Sequence, residues 1–274
     1  MIPTFLYGTA WKEDATESLV YGALVTGFRG LDTANQRKHY FEEGVGRGLQ
    51  RAITEGKVAR DALFVQSKFT FRDGQDHRLP YDEKAPVAKQ VAQSYASSLV
   101  HLGVAKLDSL VLHGPSQHTG LGAADHEAWR AMEALGVAHL GISNCSAMQV
   151  EQLLDFAKQK PTFVQNRCYA SRGWDRDVRA VCGHHGLIYQ AFSLLTANRD
   201  VVAGQAVHAL VKRYGKTREQ VMFRFAQQLG MVPLTGTSSP AHMREDLAIA
   251  DFSLAPDELS SLGGSRFGPA GSPS

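Results

Sequence analysis

Residues 27–46 read GFRGLDTANQRKHYFEEGVG, and the fold follows from how this stretch is parsed. An apolar run, Gly30 to Asp32, stops at an acid. A small-residue turn follows, and a helix is expected to hold Tyr40, Glu42 and Glu43. An acid and a phenol thereby stand at the exit of one strand, the end at which a parallel α/β barrel carries its chemistry. In isolation Asp32 and Thr33 would read as a turn or a helix cap. The reading depends on whether the rest of the chain repeats the unit.

It does. Apolar segments alternate with amphipathic ones, the pattern of repeated βα units closing a parallel sheet. Eight strands are expected: residues 5–7, 30–32, 63–67, 107–112, 138–142, 163–165, 187–191 and 231–234. Between them, helices are expected over residues 86–102 and over 145–158, the latter capped by Ser143 or Asn144. Two more helices, 205–214 and 217–229, follow the seventh strand, the first as an extra to the repeat. At 274 residues and 43% hydrophobic, the chain suits one (β/α)8 TIM barrel, an α/β fold of roughly 250 residues. The expected organisation is a single barrel domain over 1–262 and a flexible tail over 263–274, where GGSRFGPAGSPS lacks periodicity.

A net charge of +2 from 29 basic and 27 acidic residues leaves no basic tract to follow a phosphate backbone, so no nucleic-acid partner is expected. Cys145, Cys168 and Cys182 follow no metal-like spacing and read as free thiols of a cytoplasmic protein, with no metal expected. The opening MIPTFLYGTAWKE lacks the pattern of a signal peptide, and no segment has membrane-spanning length.

Other strand exits are marked as clearly as the second. Lys68 closes ALFVQSK, and a charge after so apolar a strand is costly unless an acid lies beside it. Adjacent strand ends would bring Asp32 within reach. A lysine snorkelling out over the rim is the alternative. His113 ends LDSLVLHGP on the same rim, where a structural histidine is the plain alternative. No G-x-G-x-x-G follows an opening strand, so a Rossmann nucleotide site is not expected.

G-F-R-G-L-D-T-A, then tyrosine, then E-x-x-V-G resembles the signature of the aldo-keto reductase family, and later segments agree in order over nearly the whole chain. The resemblance implies reduction of aldehydes and ketones with a nicotinamide cofactor, and a catalytic set of Asp32, Tyr40, Lys68 and His113. A rigid register from Glu42 would put His39 in place of Tyr40. One gap restores Tyr40, which is preferred because a phenol is a proton donor at neutral pH. Asp32 would hold Lys68 charged, Lys68 would lower the Tyr40 pKa, and His113 would orient the carbonyl oxygen. No counterpart of the family's opening hairpin or of its long C-terminal substrate loop is expected here, which implies a floor closed otherwise and an open pocket accepting bulky carbonyls.

By the same resemblance Ser143, Asn144 and Gln165 hold the nicotinamide carboxamide, although a serine-asparagine pair after a strand also reads as a cap. Phe192 lies under the ring, with Ser193 and Leu195 beyond it, and Gly8 and Thr9 open the first loop toward the ribose. Trp11 and Trp174 are expected to wall the substrate pocket. Residues 232–247, VPLTGTSSPAHMREDL, lack the basic residues usual in NADPH-preferring members. Thr235, Gly236, Thr237 and Ser238 with His242, Arg244 and Asp246 are expected to hold NADPH, with NADH as the weaker alternative and a margin that shrinks as His242 loses its proton. A cofactor-binding regulatory module and a Schiff-base lyase using Lys68 are the competing readings. A monomer or weak homo-oligomer acting on a small carbonyl compound is expected.

Overall fold

A computed structural model describes residues 1–263. Eight parallel strands close on themselves in sequence order, from β1 (Leu6–Gly8) through β2 (Gly30–Asp32), β3 (Phe64–Phe69), β4 (Ser109–Leu112), β5 (His139–Ser143), β6 (Phe163–Arg167) and β7 (Ile188–Phe192) to β8 (Met231–Thr235), which pairs back with β1. The (β/α)8 expectation is met, with β2 at its expected bounds and the others shifted at one or both ends by one or two residues toward the rim. Of the tail, only Gly263 lies within the described residues.

The strands hold because alternate residues meet two different apolar environments. Leu31, Val65, Leu110, Leu140, Ile142, Val164 and Ala191 face outward into the core beneath the helices. Leu6, Phe64, Phe163 and Leu234 face inward, with Ile2, Ile188 and Val232 packed on them as the barrel floor. Pro3 reaches the same floor: a Cβ on Gly30 would stand 2.5 Å from both Pro3 Cγ and Leu6 Cδ2, so only glycine leaves room there.

Helices α1 (Thr16–Thr26), α2 (Glu42–Thr54), α3 (Val87–Leu102), α4 (Ala123–Ala134), α5 (Ala147–Phe156) and α6 (Arg176–His185) join the first seven strands. Three helices rather than two precede β8: α7 (Arg199–Ala203), which is too short to show a period in the sequence, then α8 (Gln205–Tyr214) and α9 (Arg218–Gln228). Helices α10 (Pro240–Leu247) and α11 (Pro256–Ser261) follow. Two local expectations are corrected. Helix α2 begins at Glu42, so Tyr40 sits on the preceding loop, its N–H donating to the Gln36 carbonyl at 3.0 Å. The cap of α5 is Ser146, whose Oγ accepts from the Gln149 N–H while the Gln149 side chain answers in a capping box. Ser143 and Asn144 are thereby spared capping duty, and Asn144 takes a left-handed φ of 52° at the rim.

Candidate active site

Inside β3 every second side chain points to the barrel axis, which puts Gln66 and Lys68 in one file below the rim. Lys68 is fully buried and its Nζ lies 2.7 Å from both Asp32 oxygens and 2.8 Å from the Thr33 carbonyl oxygen. Asp32 is held further by amides: Gln66 Nε2 donates to Oδ1 at 2.7 Å and Gln165 Nε2 at 2.9 Å. Gln66 and Gln165 also donate to Gln190 Oε1, at 2.8 and 2.9 Å, and Gln190 Nε2 returns a bond to Gln66 Oε1 at 3.2 Å. Three glutamines from β3, β6 and β7 thus form a polar layer between the apolar floor and the rim. Such a layer is tolerable because its amides are paired with one another and with the carboxylate.

Tyr40 packs against this pair, its ring centroid 5.3 Å from Lys68 Nζ and 5.9 Å from the His113 ring. His39 is turned away, with its ring 4.1 Å from that of Trp11 at the mouth. The ammonium does not lower the Tyr40 pKa as the sequence suggested. Burial, and then the Asp32 charge, push the phenol well above its ordinary range, because Asp32 neutralises the lysine at contact distance. Burial pulls Lys68 down and Asp32 opposes it. His113 lies well below the usual histidine range through burial and then the charge of Lys68, so its imidazole is neutral.

Above these groups opens a cavity of about 1600 Å³, larger than the roughly 300–1,000 Å³ that one small ligand fills. Its wall includes Gly8, Trp11, Asp32, His39, Tyr40, His113, Ser143, Asn144, Gln165, Phe192, Ser193, Leu195, Thr235, Gly236, Thr237, Ser238, His242 and Asp246. Asn144 Nδ2 donates to the His113 carbonyl at 2.8 Å and Ser143 Oγ to the Gln165 carbonyl at 2.6 Å. With the Gln165 and Asn144 side-chain nitrogens engaged, their carbonyl oxygens are left as acceptors.

Three expected residues lie elsewhere. Thr9 is fully buried and its hydroxyl donates to the Asp32 carbonyl at 3.0 Å, so it joins β1 to β2 instead of facing a ligand. Trp174 is buried at 1% exposure; its ring packs edge-on to Phe225, with centroids 5.0 Å apart, and its Nε1 donates to the Leu262 carbonyl at 2.7 Å. It belongs to the core, because Gly173, Trp174 and Asp175 all take positive φ (59°, 61° and 57°) and this turn carries the ring inward. Arg244 lies off the cavity: on α10 the cavity takes His242 and Asp246, four residues apart, and a residue midway between them faces away.

Sequence reading passed over Lys12, Gln66, Thr70, Arg167 and Gln190. Lys12 lines the cavity, is largely buried and pairs with no carboxylate among the described residues. Its Nζ donates to the Gly236 carbonyl at 2.7 Å, and burial lowers its pKa to about 8. Arg167 ends β6 with its guanidinium 5.6 Å from the Phe192 ring. Gln66 and Gln190 carried a readable signal, each being an amide inside an apolar strand two residues from a rim residue.

The fold is a (β/α)8 barrel whose polar side chains gather at one rim beneath a large cavity. A family model described as the Aldo/keto reductase family matches residues 6–264, and the chain belongs to that family. Among its relatives is a methylglyoxal reductase, DkgA, of Salmonella typhimurium, 29% identical over 272 residues covering 94% of this chain and 90% of the relative. An uncharacterized oxidoreductase, YtbE, of Bacillus subtilis is 26% identical over 267 residues, covering 95% and 88%. A Bombyx mori aldo-keto reductase solved in complex with NADP superposes with a TM-score of 0.80 at 23% identity, covering 96% of this chain and 88% of that one.

Proposed function

We propose that this protein reduces aldehydes or ketones to alcohols with NADPH, and that Tyr40 delivers the proton. The observation that carries the reading is the contact of Tyr40 with both Lys68 and His113 at the floor of the cavity. A carbonyl accepting hydride gathers alkoxide charge on its oxygen and needs a donor there at once. The Tyr40 hydroxyl keeps its proton at neutral pH and can supply it, while Lys68, fixed by Asp32, keeps positive charge beneath the phenolate that forms. The neutral His113 imidazole offers an N–H to the same oxygen.

The residues present fit a nicotinamide dinucleotide. The acceptor oxygens of Asn144 and Gln165 suit the hydrogens of a carboxamide, and Phe192 offers an aromatic face beside them. Lys12 is a cation without a carboxylate next to the hydroxyl-lined loop 235–238, which suits a diphosphate. His242 and the start of α10 suit the further phosphate of NADPH, with NADH as the weaker ligand. When bound, the nicotinamide supplies the hydride.

The test is oxidation of NADPH and of NADH followed across a panel of carbonyl compounds, in wild type, Tyr40→Phe and His39→Ala. Removing a positioned general acid should lower kcat by roughly 10²–10⁴-fold in Tyr40→Phe and leave cofactor affinity nearly intact, while His39→Ala should stay active. An active Tyr40→Phe beside an inactive His39→Ala would reverse the assignment. Borohydride trapping of a keto substrate on Lys68 would favour a lyase instead, and the Asp32 contact, which keeps that amine charged, speaks against it.

A further inference from the structure

Thr70 stands just past β3, two residues beyond Lys68, and is buried. Its Oγ1 lies 2.7 Å from His113 Nδ1. The loop pins it from the other side: its carbonyl accepts from the Tyr81 hydroxyl at 2.8 Å and from Gln75 Nε2 at 3.4 Å. Both Thr70 and His113 line the cavity. His113 is held in turn by its backbone, its N–H donating to Phe69 and its carbonyl accepting from Asn144. Among the described residues neither the Thr70 hydroxyl nor His113 Nε2 meets any other polar partner.

A hydroxyl and a neutral imidazole can meet at Nδ1 in two ways. If the ring proton sits on Nδ1, Thr70 accepts it and the hydroxyl hydrogen is left buried without an acceptor, the costlier arrangement. Nε2 would then turn a lone pair toward the cavity and repel a carbonyl oxygen. If the hydroxyl donates to Nδ1 instead, its hydrogen is used and the ring proton resides on Nε2. We propose that Thr70 is a positioning residue whose hydroxyl, by donating to Nδ1, fixes the ring orientation and tautomer of His113 so that Nε2–H is presented to the substrate oxygen. The inference rests on the role proposed above for His113.

The experiment compares wild type, Thr70→Val, which keeps the shape and loses the hydroxyl, and Thr70→Ser, which keeps the hydroxyl. Long-range proton–nitrogen correlation spectra of protein labelled with ¹⁵N-histidine report the tautomer, and His113→Gln assigns the signal. Wild type and Thr70→Ser should show a protonated Nε2 and a hydrogen-bonded, unprotonated Nδ1. Thr70→Val should lose that signature and lose about tenfold in kcat at unchanged cofactor affinity, with Thr70→Ser recovering most of the rate. A wild-type proton on Nδ1, a Thr70→Val protein unaltered in both spectrum and kcat, or a Thr70→Ser as impaired as Thr70→Val would overturn the proposal. Full activity in His113→Gln would instead remove His113 from the reaction, while the spectra still decide what Thr70 does to its ring.

Discussion

Lys68 and Asp32 depend on each other unequally. Lys68 has the two carboxylate oxygens and one carbonyl, whereas Asp32 retains two amide donors when the lysine is gone. Breaking a buried pair by removing one partner typically costs roughly 3–5 kcal/mol. Asp32→Ala should fall in that range and Lys68→Met below it, by chemical denaturation. Activity should rank the other way, with Lys68→Met nearly inactive and Asp32→Ala less affected, because Lys68 is the cation in contact with the Tyr40 ring and Asp32 holds it there. Lys12 supports a second expectation. Its pKa of about 8 means that the ammonium is present below that pH and lost above it. NADPH affinity should therefore weaken as pH rises through 8, and Lys12→Met should bind roughly 10–100-fold more weakly near pH 7, the worth of one charged hydrogen bond. Fluorescence titration of both proteins between pH 6.5 and about 9 measures it; a wild-type affinity flat across that range would contradict it.

At the scale of the element, α2 explains the acid and the last glycine of E-x-x-V-G, and Gly48 beyond them, without reference to catalysis. Glu42, at the first position of the helix, is buried, accepts from the Ser67 hydroxyl on β3 and from Ser98 on α3, and contacts His101 at 3.3 Å. It ties the helix to the strand that carries Lys68. A Cβ on Gly46 would fall inside van der Waals contact of the His101 carbonyl oxygen, and one on Gly48 would lie 2.5 Å from the Glu17 carbonyl oxygen. Helix α2 is thus wedged between α1 and α3 at backbone distance. Gly46→Ala gains about 1 kcal/mol of helix propensity but forces α3 away, and overpacking typically costs about 1–3 kcal/mol or more. Lowered stability in urea is expected; a more stable Gly46→Ala would show that α3 yields freely.

At the scale of the molecule, stability should carry the mark of Asp246. Burial raises its pKa to about 6, the Thr235 hydroxyl opposing at 2.7 Å. A carboxyl whose folded pKa lies above the unfolded value of about 3.9 favours folding while it is protonated. That contribution is fully present below the unfolded value and lost as pH rises through about 6. Asp246→Asn, which keeps an acceptor for Thr235, should therefore raise Tm at pH 7.5 more than at about pH 5. An equal gain at both values would assign the effect to packing instead of charge.

Much of this molecule is written locally. The eight βα units are legible because apolar periodicity records which residues must leave water, and Asp32, Lys68, His113 and Gln165 stand out because each is a polar residue ending or interrupting an apolar strand. Membership of the aldo/keto reductase family follows from the order of those segments. Tertiary structure decided what depends on distant neighbours. Spacing along residues 37–42 left His39 and Tyr40 in competition; tertiary structure packs Tyr40 on Lys68 and His113 and His39 on Trp11, the contacts on which the proposed assignment to Tyr40 rests. Trp174 and Thr9 faced inward because of a left-handed turn and a cross-strand hydrogen bond that no local pattern encodes. The cap of α5 fell to Ser146, since Asn144 is bonded to the backbone of His113. The glutamine layer around Asp32 and the Thr70 hydroxyl on His113 exist only because barrel closure and register bring β2, β3, β4, β6 and β7 together. Polarity is a property of a residue, whereas the partner that satisfies it is a property of the fold.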